Sequence, residues 1–451
     1  MTDVDHIAAP AVDPATQPAT EPAPPARSAS ALRNPVMRAI VVSETISSLG
    51  SQMSFLALPW FVLITTGSAT MMGLVFAVEL LPVALLGIPS GLVVQRWGVR
   101  RTMLVCDLLR APLLALVPLL HWLGLLSFPL LLVIVFAIGT FGAPYISAQR
   151  LVIPETFGDD ENLVVQGNAL IEGATRLASL AGPALAGLLI SSFGAVNVLW
   201  LDAGSFLLSF AVLITWLPKP AVSLADAAPE GSRGVFEGAR FVITNPLLRR
   251  VSAAALIFGF FFPLLLASVP VITEQRYGAD PQVAGLLFAA WGAGALIGTF
   301  GVMRIASRIP PMRLGALAGV ALALPLWLLG LPLTAWQFGA VLLISGVFTP
   351  MLNAPLITLI LLRSPEHLRA KVITFVMTAN LLAGPLGYAL AGPALDRFGL
   401  TAVLLVVAGG VTLAALTLVT MIGADRQPTA DQPAEDQAAT DRPTAALPAE
   451  S

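Results

Sequence analysis

Residues 196–272 read VNVLWLDAGSFLLSFAVLITWL (196–217), PKPAVSLADAAPEGSRGVFEGARFVITNPLLR (218–249) and RVSAAALIFGFFFPLLLASVPVI (250–272). The outer two segments are continuous apolar runs of about 20 residues, the length that carries a helix across roughly 30 Å of hydrocarbon. Between them, Lys219, Asp226, Glu230, Arg233, Glu237, Arg240 and Arg249 form a polar stretch that a bilayer core would not hold. Working outward, further apolar runs fall at 37–64, 69–92, 102–120, 128–149 and 168–191 before it, and at 282–303, 313–331, 335–361, 372–393 and 399–422 after it. In lipid every backbone N–H and C=O must be satisfied within its own segment, so these runs are helices. The sequence therefore predicts an all-α membrane protein with twelve transmembrane helices in two six-helix bundles, 34–217 and 250–422, joined by a linker over 218–249.

Composition agrees. Hydrophobic residues make up 57% of the chain, charged residues 11%, and the mean hydropathy is +0.85. A soluble domain sits nearer 45–50% apolar and about 25% charged. The net charge of -2 gives no reason to expect a nucleic-acid partner. Cys106 is the lone cysteine and His6, His121 and His367 are the only histidines, so no intramolecular disulfide, metal centre or cofactor is expected. No nucleophile–base spacing suggests an enzyme.

Residues 1–33 and 423–451 are rich in Pro, Ala and Thr and lack apolar runs; both read as disordered tails. Basic residues set the orientation. Placing the N-terminus in the cytoplasm gives the cytoplasmic loops Arg96, Arg100, Arg101, Arg150, the linker cations, Arg304, Arg308, Arg313, Arg363, Arg369 and Lys371. The opposite loops then hold only Arg276 and Arg397. Both termini and the linker are accordingly expected in the cytoplasm of a bacterium, with the bundles in its inner membrane.

Between the second and third spans lies Gly91-Leu-Val-Val-Gln95-Arg96-Trp-Gly98-Val-Arg100-Arg101. This resembles the G-x-x-x-D-R-x-G-R-R loop of the major facilitator superfamily, where a tight turn sets cations beside helix ends. Gln95 stands where the family has Asp, and Val99 shifts the Arg pair. In the fifth span, Gly173 is followed by Gly182-Pro183 and Ala186-Gly187, similar to the antiporter motif G-x8-G-P-x-x-G-G of exporters in that superfamily. Small residues there allow close helix approach and Pro183 bends the helix. The eleventh span carries an echo, Gly392 through Phe398-Gly399, at the spacing of Gly187 through Phe193-Gly194. With Ser47-Ser48-Leu49-Gly50, Asp107 and Arg110, and Asn168-Ala-Leu, residues 34–422 resemble the macrolide-efflux and enterobactin-exporter branch. That resemblance implies the major facilitator fold and a proton-driven exporter.

Ionisable groups at membrane depth are costly and mark function by default. Glu44, Glu79, Asp107, Glu172 and Asp202 lie within spans, all in the first half. Asp107 with Arg110 (i, i+3) and Glu172 with Arg176 (i, i+4) can each share a helix face and are expected as buried ion pairs. Asp202, near the outer end of its span, is expected to be structural. Glu44 and Glu79 have no cation within a turn, which makes them the candidates for binding and releasing protons. Trp60, Phe258, Phe261 and Trp291, with Phe61 and Asn353, are expected to wall a greasy cavity. The expected partners are a hydrophobic small molecule, protons and the lipid bilayer. An importer or uniporter on the same fold, or a membrane receptor or anchor that transports nothing, are the competing readings.

The orientation has a direct check. In a Cys106→Ala background, a cysteine at Arg233 should resist a membrane-impermeant maleimide in intact cells and react fully once the membrane is opened.

Overall fold

The computed structural model describes residues 30–158, 160–217 and 233–422. Within them the helices are α1 (Pro35–Thr66), α2 (Ala69–Trp97), α3 (Val99–Trp122), α4 (Phe128–Phe157), α5 (Glu161–Phe193), α6 (Ala195–Trp216) and α7 (Arg233–Thr244). They continue as α8 (Pro246–Arg276), α9 (Pro281–Ile305), α10 (Pro311–Leu326), α11 (Ala335–Arg363), α12 (Glu366–Phe398) and α13 (Leu400–Val419). A 3₁₀ turn, Trp327–Gly330, extends α10. All except α7 are long and apolar enough to cross a membrane, twelve in number among the described residues. The expected spans match these helices, and the helices run past the apolar runs into polar ends. Their starts are set by local chemistry. Asn34, Ser68, Ser127, Asp160, Asn245, Asp280 and Thr334 each accept a hydrogen bond from a first-turn backbone N–H. Proline occupies the first turn of α1, α4, α8, α9 and α10, where no N–H is missed.

Within the first half, α1 packs on α5 and α6, α2 on α4, and α3 on α4 and α6. The second half repeats the plan: α8 packs on α12 and α13, and α10 on α11 and α13. The halves meet mainly through two pairs, α2 with α12 and α5 with α9. We call the end of the bundle that carries Pro35 and the linker the linker side, and the opposite end the far side. From mid-span to the far side the two halves touch backbone to backbone. A Cβ on Gly285 would lie 2.3 Å from the carbonyl oxygen of Pro183, and one on Gly73 would lie 2.7 Å from that of Tyr388. Four rings then close the middle: Phe55 of α1 and Phe76 of α2 meet Phe288 of α9 and Tyr388 of α12, with Phe76 stacked on Tyr388 at 4.8 Å.

Two expectations need revision. Residues 31–33 are not part of a loose tail: they form a 3₁₀ turn, with the Ala31 N–H donating to Gln166 Oε1 of α5 at 3.1 Å and Ala31 buried. Of the linker, 233–244 is the helix α7, which packs along α12. Its Glu237 accepts from Lys371 Nζ at 2.7 Å, and that ammonium holds the Glu237 carboxyl below its ordinary range. The tie is therefore present at neutral pH and is lost as pH falls through the lowered value. The remaining tail and linker residues, 1–29, 218–232 and 423–451, lie outside the described residues.

Glycine-mediated packing predicts where bulk is tolerated. A Cβ on Gly294 of α9 would fall 2.1 Å from the Leu343 carbonyl oxygen, whereas one on Gly409 of α13 would meet nothing within 4 Å. Gly294→Leu should cost about 3 kcal/mol or more by overpacking and lower the detergent melting temperature by several degrees. Gly409→Leu should leave it unchanged, as read by thermal-shift size-exclusion chromatography.

Candidate functional site

Two neighbouring regions gather the polar side chains: a buried cluster inside the first half, and an open cavity between the halves on the linker side.

The cluster is built across α1, α2, α3, α4 and α6. Asp202, 2% exposed, accepts from Ser54 Oγ at 2.5 Å and from Ser205 Oγ at 3.0 Å. It lines a small cavity of about 40 Å³ together with Ser51, Glu79, Arg110 and Phe206. That volume holds a water or two, and a water there would find polar partners. Glu79 Oε2 and Arg110 Nε are both buried without a hydrogen-bond partner. On the linker side of this cavity, Asp107 accepts from Ser209 Oγ at 2.6 Å, and its Oδ1 is unpartnered. Glu44 is held by the hydroxyls of Ser48 and Thr175, the latter at 3.4 Å.

The expected Asp107–Arg110 ion pair is not formed. Three residues along α3 place the two groups on the same helix, but Ser209 of α6 takes the carboxylate. The guanidinium lies instead over the Phe206 ring, 4.0 Å from its centroid, and 5.9 Å from that of Tyr145. Cation–π contact of this kind is worth about 2 kcal/mol when desolvated. Asp202, expected to be structural from its place near the outer end of its span, is buried against α1, because α6 begins at Ala195 and two helical turns carry it inward. Arg110 and Asp202 belong with Glu79, a grouping that sequence spacing hides because three different helices supply it.

The Glu172–Arg176 pair does form, at 2.8 Å, but it is not buried: the side chains are 62% and 40% exposed. Both face outward from α5 because α5 turns that stripe toward the space between the halves. Arg176 lines a cavity of about 300 Å³ whose other wall is Trp291, Thr299, Thr349, Asn353 and Ile357. An adjoining recess of about 200 Å³ runs between Asn353, Ile373, Met377 and Asn380. The walls are aliphatic, with one ion pair, two carboxamides and two threonine hydroxyls as the polar handles.

Of the five expected cavity aromatics, only Trp291 reaches this space. Phe262 packs on Trp291 at 5.3 Å and Phe258 stacks on Phe262 at 5.2 Å, so Phe258 stands behind the wall. Phe261 points to α13, where its ring fills the gap left by Gly410. Trp60, 4% exposed, lines a separate far-side recess with Phe61, His121 and Trp122.

The motif residues separate in the same way. Gly98 adopts φ 75°, ψ 158°, a conformation that disfavours any side chain, and it closes α2 and opens α3 at once. Arg100 donates to the Leu217 and Ile214 carbonyls at 2.6 and 3.0 Å, capping the end of α6 within the same half. Gln95, Arg96 and Arg101 make no hydrogen bond or ion pair among the described residues, and a Cβ on Gly91 would meet nothing within 4 Å. In α5, Gly187 and Pro183 face α9 across the seam; Gly182 instead packs on Gln52 of α1, and Gly173 faces open space. The antiporter-like stretch thus serves two interfaces, only one of them between the halves. No group of three metal-ligating side chains occurs among the described residues.

Two six-helix bundles that seal at one end and part at the other around an apolar cavity define a membrane carrier. The family model described as Major Facilitator Superfamily matches residues 40–388, and the chain belongs to that superfamily. Among curated relatives, the multidrug efflux pump Tap of Mycolicibacterium fortuitum is 29% identical over 383 residues, covering 83% of this chain and 92% of that one. The uncharacterized MFS-type transporter YfiS of Bacillus subtilis (strain 168) is 26% identical, covering 86% and 93%. Among solved structures, the nucleoside transporter NupG superposes with TM-score 0.68 at 14% identity, covering 86% of this chain and 98% of that one. A bacterial homologue of the human lysosomal transporter Spinster, in an inward-facing and unoccupied conformation, superposes with TM-score 0.64 at 16% identity, covering 85% and 97%. The protein is a multi-pass transporter of this superfamily.

The different burial of the two charged groupings gives a stability prediction. Arg110→Ala removes the cation–π contact with Phe206 and the one cation beside Glu79 and Asp202, and should reduce folded protein in the membrane several-fold, a cost of about 2 kcal/mol. Glu172→Gln breaks an exposed pair worth less than about 1 kcal/mol. It should leave the yield unchanged by in-gel fluorescence of a tagged protein.

Proposed function

We propose that this transporter is a proton-coupled exporter of hydrophobic small molecules, with the linker side facing the cytoplasm. The observation that carries the reading is the pairing of an apolar linker-side cavity, walled mostly by the second half, with a separate buried carboxyl cluster in the first half. The cavity, walled by Trp291, Ile357, Ile373 and Met377 with few polar handles, suits a bulky amphipathic compound. The efflux-pump relatives named above support export as the direction. The basic residues of the linker-side loops support the orientation, since positive charge collects in the cytoplasm.

For coupling, Glu79 is the favoured acid over Glu44. Glu44 already receives two hydroxyl hydrogen bonds, whereas one oxygen of Glu79 is unpartnered in a cavity shared with Arg110 and Asp202. A carboxyl in that position can take a proton and give it up as Arg110 pairs with Glu79 or Asp202 in turn. Glu79 also sits one helical turn from Phe76, which stacks on Tyr388 of the other half. Its charge state is thereby placed beside the contact that closes the far side. A proton and a substrate that favour different orientations of the halves are coupled through that difference alone.

A panel of labelled apolar antibiotics and dyes, followed in cells with and without the gene, tests the reading. Lower accumulation that a protonophore abolishes is the expected result. Glu79→Gln should lose uphill efflux by more than tenfold while still equilibrating substrate downhill, and Glu44→Gln should retain most of it. Full gradient-driven efflux by Glu79→Gln would remove Glu79 from the coupling step.

A further inference from the structure

We infer that Asp396 is a positioning residue for the transport cycle, holding the far-side gate shut through a loop device that the fold uses on both faces of the membrane. The inference rests on the carrier fold and is independent of what drives or crosses it.

Three helices end in the same pattern. α12 closes with Gly392-Pro-Ala-Leu-Asp396-Arg397-Phe398-Gly399, α5 with Gly187-Leu-Leu-Ile-Ser191-Ser192-Phe193-Gly194, and α2 with Gly91-Leu-Val-Val-Gln95-Arg96-Trp97-Gly98. Each has a glycine, a polar residue four positions on, an aromatic residue at six and a glycine at seven. The closing glycines share one backbone conformation: φ 77°, ψ 163° at Gly399, φ 83°, ψ 150° at Gly194, and φ 75°, ψ 158° at Gly98. Each is the last cap of one helix and the first of the next. In all three the polar residue lies three positions before the turn, in the last turn of its helix.

On the far side that residue reaches the first turn of a helix in the opposite half. Asp396 Oδ2 accepts from the Thr70 N–H at 3.0 Å and from Thr70 Oγ1 at 2.6 Å, at the start of α2. Ser191 Oγ accepts from Gln282 Nε2 at 2.9 Å, at the start of α9. The opening glycine makes the approach possible. A Cβ on Gly392 would lie 2.3 Å from the Ala69 carbonyl oxygen, and one on Gly187 would lie 2.5 Å from that of Pro281. On the linker side neither half of the device is engaged: Gln95 makes no hydrogen bond among the described residues, and a Cβ on Gly91 would meet nothing within 4 Å.

The same turn is thus closed where the halves meet and open where they part. A carboxylate at a helix N-terminus satisfies an orphan N–H and complements the helix dipole. Asp396 supplies that charge to α2 on the far side. At the other end of α2, Gln95 can offer only a neutral amide. The unequal chemistry of the two locks biases the carrier toward the far-closed state seen here.

The alkylation rate of Ala69→Cys by a membrane-impermeant maleimide reads the open fraction however small, because Ala69 is buried under Gly392 when the gate is shut. In a Cys106→Ala background in proteoliposomes, Asp396→Ala should raise that rate about fivefold, equivalent to about 1 kcal/mol of lost lock. Asp396→Glu should restore the parent rate. Gln95→Asp, at the opposite end of α2 and unable to loosen Ala69 locally, should also raise it by strengthening the linker-side lock. Arg397→Ala, which alters the same loop without touching α2, should leave it unchanged. An unchanged rate in Asp396→Ala or in Gln95→Asp, or an equal rise in Arg397→Ala, would overturn the inference.

Discussion

The architecture depends on bare backbone meeting bare backbone. At the far side α5 and α9, and α2 and α12, approach so closely that a single methyl group on Gly285 or Gly392 would collide with a carbonyl oxygen. Lipid offers two apolar bundles no hydrophobic reason to associate, since each is as well solvated by acyl chains as by its partner. What remains is dispersion over a close-fitting surface and a few hydrogen bonds, and both need the short distance that glycine permits. The aromatic contact of Phe55, Phe76, Phe288 and Tyr388 lies directly beneath this seam and extends it toward the centre. Toward the linker side these glycine contacts stop at Gly292, where a Cβ would lie 2.9 Å from the Ser179 carbonyl oxygen, and the cavity lined by Arg176 and Trp291 adjoins that point.

The second constraint is electrostatic and confined to one half. Glu44, Glu79, Asp107 and Asp202 are gathered around Arg110 on α1, α2, α3 and α6, while the walls contributed by α11 and α12 carry carboxamides and hydroxyls but no acid. Hydroxyls satisfy part of Glu44, Asp107 and Asp202 but not Glu79, and aromatic rings rather than carboxylates hold the guanidinium. Such an arrangement keeps the cation available to more than one acid. Division of labour follows: one bundle carries the charge chemistry, and the other supplies most of the apolar wall.

The fold was largely legible in the sequence, because membrane depth fixes span length and the polar linker divides the runs evenly. The expected spans and the observed helices agree to within a turn or two at most ends. The site was less legible. Spacing along one helix made Asp107 and Arg110 look like partners, yet Ser209 and Phe206 of α6 separate them, and no one-dimensional pattern encodes that competition. Glu172 and Arg176 are partners as their spacing implies, but which face of α5 meets the cavity depends on the neighbouring helices. The aromatic run Phe258–Phe262 similarly spends its rings on packing against Trp291 and α13. Asp202 lies near a span end in the sequence, yet it is buried with Glu79 and Arg110, because the facing helix supplies Ser54.

Helix α12 runs as a single element of 33 residues, about 50 Å of continuous helix, from its contact with α7 to the turn at Gly399. At its linker-side end the Glu237–Lys371 tie and the seat of Gly238 against the Lys371 backbone fasten it to an amphipathic helix outside the bilayer. At its other end it bears the carboxylate that grips α2. It is in effect a rod joining the two aqueous compartments, with Pro385 and Pro393 marking where it can yield. A load applied to α7 from the linker side, whether by a protein, a lipid headgroup or a change in salt, would be carried along this rod, past the recess lined by Ile373, Met377 and Asn380, to the opposite membrane surface.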